Sequence, residues 1–143
     1  MENNLSEKII DLTLTLSPSA ISWLKGTTQN NDGYSLQHSK IFFSLLKEIK
    51  TETCVDDNFR RKFTLNPSQV QFSELSLCKK WSMGRKKIHN ILSKMESLGL
   101  VKVFNSRLGS VLTFVCIKGW RDERGNEFKS PYYVPKLVQD SNN

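Results

Sequence analysis

The stretch SELSLCKKWSMGRKKIHNILSKMESLGLVKV, Ser73 to Val103, decides how the chain is read. Ser73 is a natural helix N-cap, and behind it Leu77, Cys78 and Trp81 stand at i, i+1 and i+4 and so share one inward face. Ser82 to Gly84 interrupts the chain as a turn. A second helix is predicted to run to about Leu98, with Gly99 in the left-handed position that ends helices. Val101 and Val103 then alternate with Lys102 and Phe104, Asn105 to Ser110 carries turn chemistry, and Val111 to Ile117 holds β-branched residues. That order predicts a hairpin after the two helices.

Upstream, Val70 and Phe72 alternate with Gln69 and Gln71 as a short strand, behind a polar connection at 51–68 that ends in Asn66-Pro67. From about Ser39, Ile41, Phe42, Leu45, Leu46 and Ile49 form one helical stripe, the first core helix, with Phe43 off it. Before that, Leu12, Leu14 and Leu16 alternate with polar residues as a strand, and Ser17-Pro18 opens a short helix that ends at Gly26. Thr27 to Gly33 reads as loop. The expected organisation is an N-terminal extension (1–38), a central domain (39–118) and a C-terminal extension (119–143).

Charge singles out the same region. Residues 73–118 hold nine cations, Lys79, Lys80, Arg85, Lys86, Lys87, Lys94, Lys102, Arg107 and Lys118, against Glu74 and Glu96, which accounts for the whole formal net charge of +7. Elsewhere cations and acids cancel. A basic balance confined to two helices and a hairpin points to a polyanionic partner, with double-stranded DNA as the expectation.

Phe72-Ser-Glu-Leu-Ser-Leu-Cys-Lys-Lys-Trp-Ser-Met-Gly-Arg-Lys-Lys-Ile, continued by Leu92 and by Met95-Glu96-Ser97-Leu98-Gly99-Leu100-Val101, resembles the winged helix-turn-helix superfamily. It is similar to MarR-type and GntR-type regulators and to modules of plasmid and phage replication proteins. Leu77, Cys78 and Trp81 match the buried positions of the second helix, Ile88 and Leu92 those of the third, and Leu98-Gly99-Leu100 the junction to the wing. Gly84 departs from the pattern, standing where these families often carry a capping Ser or Thr. The resemblance implies an α+β, mostly helical fold, a winged helix-turn-helix with a two- or three-stranded antiparallel wing sheet plus N- and C-terminal extensions.

At 100° per residue with Ile88 as the inward reference, Gly84, Ile91, Leu92, Met95 and Leu98 gather around it. The opposite face carries Lys86, His89, Asn90, Ser93 and Ser97, with Arg85 and Lys87 on its flanks. Three consecutive cations at a helix start oppose the macrodipole, each by about 0.3–1 kcal/mol. A phosphate backbone would turn that penalty into a gain. Arg85, Lys86, His89 and Asn90 are therefore the expected base or phosphate contacts, Asn90 as a reader of adenine and Arg85 of guanine. Ser93 and Lys94 complete that helix, Lys79 and Lys80 on the preceding helix suit phosphates, and Arg107 at the wing tip suits either a DNA contact, in a minor groove or at a phosphate, or idle surface. The cluster Arg60, Arg61, Lys62 follows Asp56 and Asp57 and reads as solvated loop.

Toward the C-terminus Trp120, Phe128, Tyr132, Tyr133, Val134 and Leu137 must be buried in the domain or in a homodimer contact; Tyr132 and Tyr133 read as a docked tail rather than as stacking platforms for unpaired bases. The odd set Cys54, Cys78 and Cys116 fits small buried residues in a reducing cytoplasm, not a disulfide framework. No apolar run approaches the ~20 residues of a membrane span, and no secretory leader is expected. The chain lacks GxSxG, HExxH, P-loop and dinucleotide motifs and has histidines only at 38 and 89. It offers no sign of catalysis, cofactor, metal or small-molecule effector. The expected role is a sequence-specific double-stranded DNA-binding protein, a small transcription regulator or a replication or excision factor of a mobile element. The alternative is a winged-helix protein-interaction module without DNA binding.

Overall fold

The computed structural model describes residues 9–49, 54–56, 63–106 and 109–134. Along them run β1 (Ile9–Leu14), α1 (Pro18–Leu24), β2 (Thr27–Gln29), β3 (Ser35–Gln37), α2 (His38–Leu46), β4 (Cys54–Asp56), β5 (Phe63–Leu65), β6 (Gln69–Phe72) and α3 (Glu74–Trp81). They are followed by α4 (Arg85–Ser97), β7 (Val101–Ser106), β8 (Gly109–Phe114), β9 (Ile117–Asp122) and β10 (Glu127–Lys129). All pairings are antiparallel, in sheets ordered β1-β9-β10, β2-β3, β4-β5 and β6-β8-β7.

The chain is not mostly helical, which corrects the expectation from the sequence. Among the described residues, four helices and ten strands contribute about equal lengths. Several strands are only three residues long, too short to show a period, and β1 finds its partner β9 more than a hundred residues away. Thr27 to Gly33 is likewise not plain loop. Thr27, Thr28 and Gln29 pair with Gln37, Leu36 and Ser35 as a hairpin. The run Val111–Ile117 is two strands rather than one, broken by a turn at Val115-Cys116. All seven of its residues are buried, so periodicity gives no sign of the break.

One large apolar cluster gathers most of the buried side chains among the described residues. It joins Ala20 and Leu24 of α1, the α2 stripe from Ile41 to Leu46 with Ile49, Leu77 and Trp81 of α3, and Ile88, Ile91, Leu92 and Met95 of α4. Leu112 and Phe114 of β8 and Ile117 and Trp120 of β9 close it. Leu12, Leu14 and Leu16 pack against the same cluster from the β1 side. Two-residue alternation explains the second face of the β6-β8-β7 sheet, where Val111 meets Leu65 in a small satellite cluster. Cys78 and Cys116 are free thiols, and burial pushes the Cys116 thiol up to about 12.

The helix ends follow local chemistry. Ser17 caps α1 by accepting from the Ala20 amide, and Ser73 caps α3 by accepting from the Ser76 amide. At the end of α4 the Leu100 amide donates to the Met95 carbonyl and the Gly99 amide to the Glu96 carbonyl, with Gly99 at φ +76°. This paired arrangement turns the chain sharply from α4 into β7. In β9, a side chain at Gly119 would drive its Cβ into the Phe128 carbonyl oxygen of β10. Gly119→Ala is therefore expected to cost about 1–3 kcal/mol through forced separation of β9 and β10. A urea midpoint within error of wild type would show that the two strands part freely.

Candidate nucleic-acid interface

Strand β6 leads directly into α3, a three-residue turn joins α3 to α4, and the β7–β8 hairpin returns so that β8 lies between β6 and β7. Met83, 2% exposed, anchors the turn in the core. Helix α4 then begins at Gly84, which sits in extended backbone and offers no side-chain cap. The helical wheel places Gly84 inward, but it is exposed and a Cβ there would meet nothing within 4 Å. Because the first intrahelical bond runs from the Ile88 amide to the Gly84 carbonyl, the amides of Arg85, Lys86 and Lys87 have no helical acceptor.

Ile88, Ile91, Leu92 and Met95 face the core as the period requires. Arg85, Lys86, Lys87, His89, Asn90, Ser93, Lys94 and Ser97 are not buried in that core, nor are Lys79 and Lys80 on α3. The three cations at the α4 start are not equivalent. The Glu74 carboxylate, at the start of α3, accepts from Nε and Nη2 of Arg85 at 3.3 Å each. The Lys87 ammonium donates to the Gln29 carbonyl of β2 at 2.6 Å. Between these two tethered flanks, Lys86, His89, Asn90 and Ser93 present side chains with no hydrogen-bond partner among the described residues.

Glu96, the one acid on α4, is directed away from that face: its carboxylate accepts from the Val103 amide of β7 at 3.0 Å. It thereby satisfies an N–H on an edge strand and links α4 to the hairpin. Lys80 lies 5.9 Å from the centre of the Trp81 ring, so its ammonium is loosely held over an otherwise buried indole. Arg107, the Arg60–Lys62 cluster and Leu137 fall outside the described residues.

Glu74 and the β2–β3 hairpin belong to this site, although neither helical period nor the block of charge marks them as part of it. The hairpin tip meets the α3–α4 turn, where the Asn31 amide donates to the Ser82 carbonyl at 2.8 Å and Asn30 Nδ2 to the Trp81 carbonyl at 3.2 Å. Its signal lies in Asp32-Gly33 between Thr-rich and Ser/Leu/Gln segments, a turn pair that favours hairpins. The Glu74–Arg85 pair has no such local signal, since it spans two helices.

His38 takes a structural position. Its ring stacks on Trp23 at 4.0 Å, its Nδ1 donates to the Trp23 carbonyl at 2.8 Å, and its Nε2 bonds the Thr28 hydroxyl at 2.7 Å. Among the described residues, no group of three or more His, Cys, Asp or Glu could hold a metal, and no helix is long and apolar enough to cross a membrane. Tyr132 and Tyr133 are docked, their hydroxyls bonded to Asn66 Nδ2 at 2.8 Å and to the Thr15 hydroxyl at 2.9 Å. No protein-family model, curated protein or solved structure matches the chain.

Proposed function

We propose that the unit β6-α3-α4-β7-β8 works as a winged helix-turn-helix and that the protein binds double-stranded DNA with sequence preference, as a small transcription regulator or as a replication or excision factor of a mobile element. One observation carries this reading: α4 turns outward a strip of Lys86, His89, Asn90 and Ser93 that is unpaired among the described residues, free of acid and flanked by cations held in place. A merely solvated helix face has no need to hold its flanking cations or to direct its acid elsewhere. Short polar side chains beside cations supply what base edges and phosphates require, donors and acceptors within a positive field.

Lys79, Lys80, Arg85, Lys86, Lys87 and Lys94 give six cations able to displace counterions from a duplex. Affinity for random duplex DNA is expected to fall about 10³-fold between about 50 and 200 mM salt, with a log–log slope near −0.9 per phosphate neutralised. Fluorescence anisotropy with a labelled duplex measures this directly. A flat salt response, or no binding at low salt, would favour the protein-interaction module instead.

A further inference from the structure

Helix α3 ends at Trp81, and its last carbonyls have no partner within the helix. The Trp81 carbonyl and that of Ser82, just past the helix, are met by donors that lie about fifty residues earlier in the chain. Asn30 Nδ2 takes the Trp81 carbonyl and the Asn31 amide takes that of Ser82, while on the far side of the turn Lys87 reaches back to the Gln29 carbonyl. The β2–β3 hairpin thus bridges the α3–α4 turn on both sides. Ser82 itself stands at φ 54°, ψ 52°, a conformation that a non-glycine residue keeps only where its surroundings fix it.

Asn30 is the centre of this bridge. Its Oδ1 accepts from the amides of Asp32 at 3.0 Å and Tyr34 at 2.9 Å, which shapes the hairpin tip, while the other end of the same amide group grips α3. A carboxylate could do the first task but not the second, because it has no donor.

We propose that the β2–β3 hairpin is a clamp that fixes the crossing of α3 and α4, with Asn30 as the positioning residue on which DNA sequence discrimination depends; the discrimination rests on the DNA-binding reading above, whereas the clamp does not. A swing of about 10° at the turn moves Asn90, about 8 Å along α4, by about 1 Å and the far end of the helix by about 3 Å. Base-edge contacts fail beyond about 0.5 Å of displacement, whereas long lysines follow a phosphate over larger distances. Loosening the clamp therefore removes sequence preference before it removes affinity.

Asn30→Asp tests this, because it keeps the two acceptor bonds of the tip and replaces the donor to Trp81 by a carboxylate oxygen that repels that carbonyl, while its added negative charge acts alike on selected and random duplex. Without DNA, hydrogen exchange of the Met83 and Ile88 amides, which donate to the Cys78 and Gly84 carbonyls, is expected to speed up at least tenfold, with the β1 and β9 amides unchanged. With DNA, the preference of the variant for a site selected by the wild type over random duplex should fall at least tenfold, beyond the loss that the added charge causes on both duplexes alike. Unchanged exchange overturns the clamp. An equal loss on selected and random DNA overturns the specificity role and leaves the hairpin a stabilising element. Should the variant fail to fold, the wild type decides: its Asn30 side-chain amide and Asn31 backbone amide must exchange at least tenfold more slowly than exposed amides, and fast exchange overturns the clamp. If the wild type binds no duplex, the DNA reading falls and the specificity role with it, while the exchange result still judges the clamp.

Discussion

Exchanging Phe114 for alanine is expected to lower the stability of the protein by about 3–5 kcal/mol, the range for emptying a fully enclosed aromatic site. Phe114 is 0% exposed and ends the central strand of the β6-β8-β7 sheet, where its ring meets Phe42 edge-on at 5.5 Å and 72°. It is thus a point where the α2 helix, the hairpin and the cluster beneath α4 share one side chain. The amide of the same residue donates to the Ser68 carbonyl, so the backbone cannot easily follow a smaller side chain inward to fill the space. For a domain whose total stability is about 5–15 kcal/mol, a loss of this size removes a large fraction of it. Urea denaturation reports it as a fall in midpoint at constant slope. A loss below about 1 kcal/mol would mean that the core collapses around the gap and that Phe114 is not its keystone.

The second large effect concerns binding. The double variant Arg85→Ala, Lys86→Ala is expected to weaken specific DNA binding by about 1–3 kcal/mol for each base edge that is no longer read, and to reduce the salt slope by about one unit for each phosphate left without its cation. Its folding should be nearly unchanged. Removing two cations from the positive end of a helix dipole is favourable by about 0.3–1 kcal/mol each. Loss of the exposed Arg85–Glu74 pair opposes this by about 0–1 kcal/mol. Anisotropy titrations beside a thermal melt separate the two quantities. Wild-type affinity in a folded double variant would remove α4 from the interface.

The part of the fold legible in the sequence is the part with local causes. Ser73 caps α3 through the Ser76 amide three residues on, the α4 stripe repeats within a single helix, and Gly99 acts within two residues of the helix end. The pairing of β1 with β9 has no such cause: Leu12 meets Trp120, but nothing within either short segment names its partner. The fully buried run at 111–117 hides its own turn because every residue in it is equally apolar or enclosed.

The candidate site divides in the same way. The outward placement of Lys86, His89, Asn90 and Ser93 follows from the helical period alone. What holds their neighbours does not, since Arg85 depends on Glu74 eleven residues back and Lys87 on a carbonyl fifty-eight residues back. Composition marks the charge as a block; only tertiary contacts distinguish a tethered cation from an unpaired one.

The pairing of Ile9–Leu14 with Ile117–Asp122 also fixes a timetable for synthesis. A growing chain exposes its first strand long before the complementary one leaves the ribosome, and contacts of such sequence separation are the slow ones to form. Leu12 and Leu14 must wait without that cover through the production of all four described helices, and this sheet forms only when β1 and β9 finally zip together.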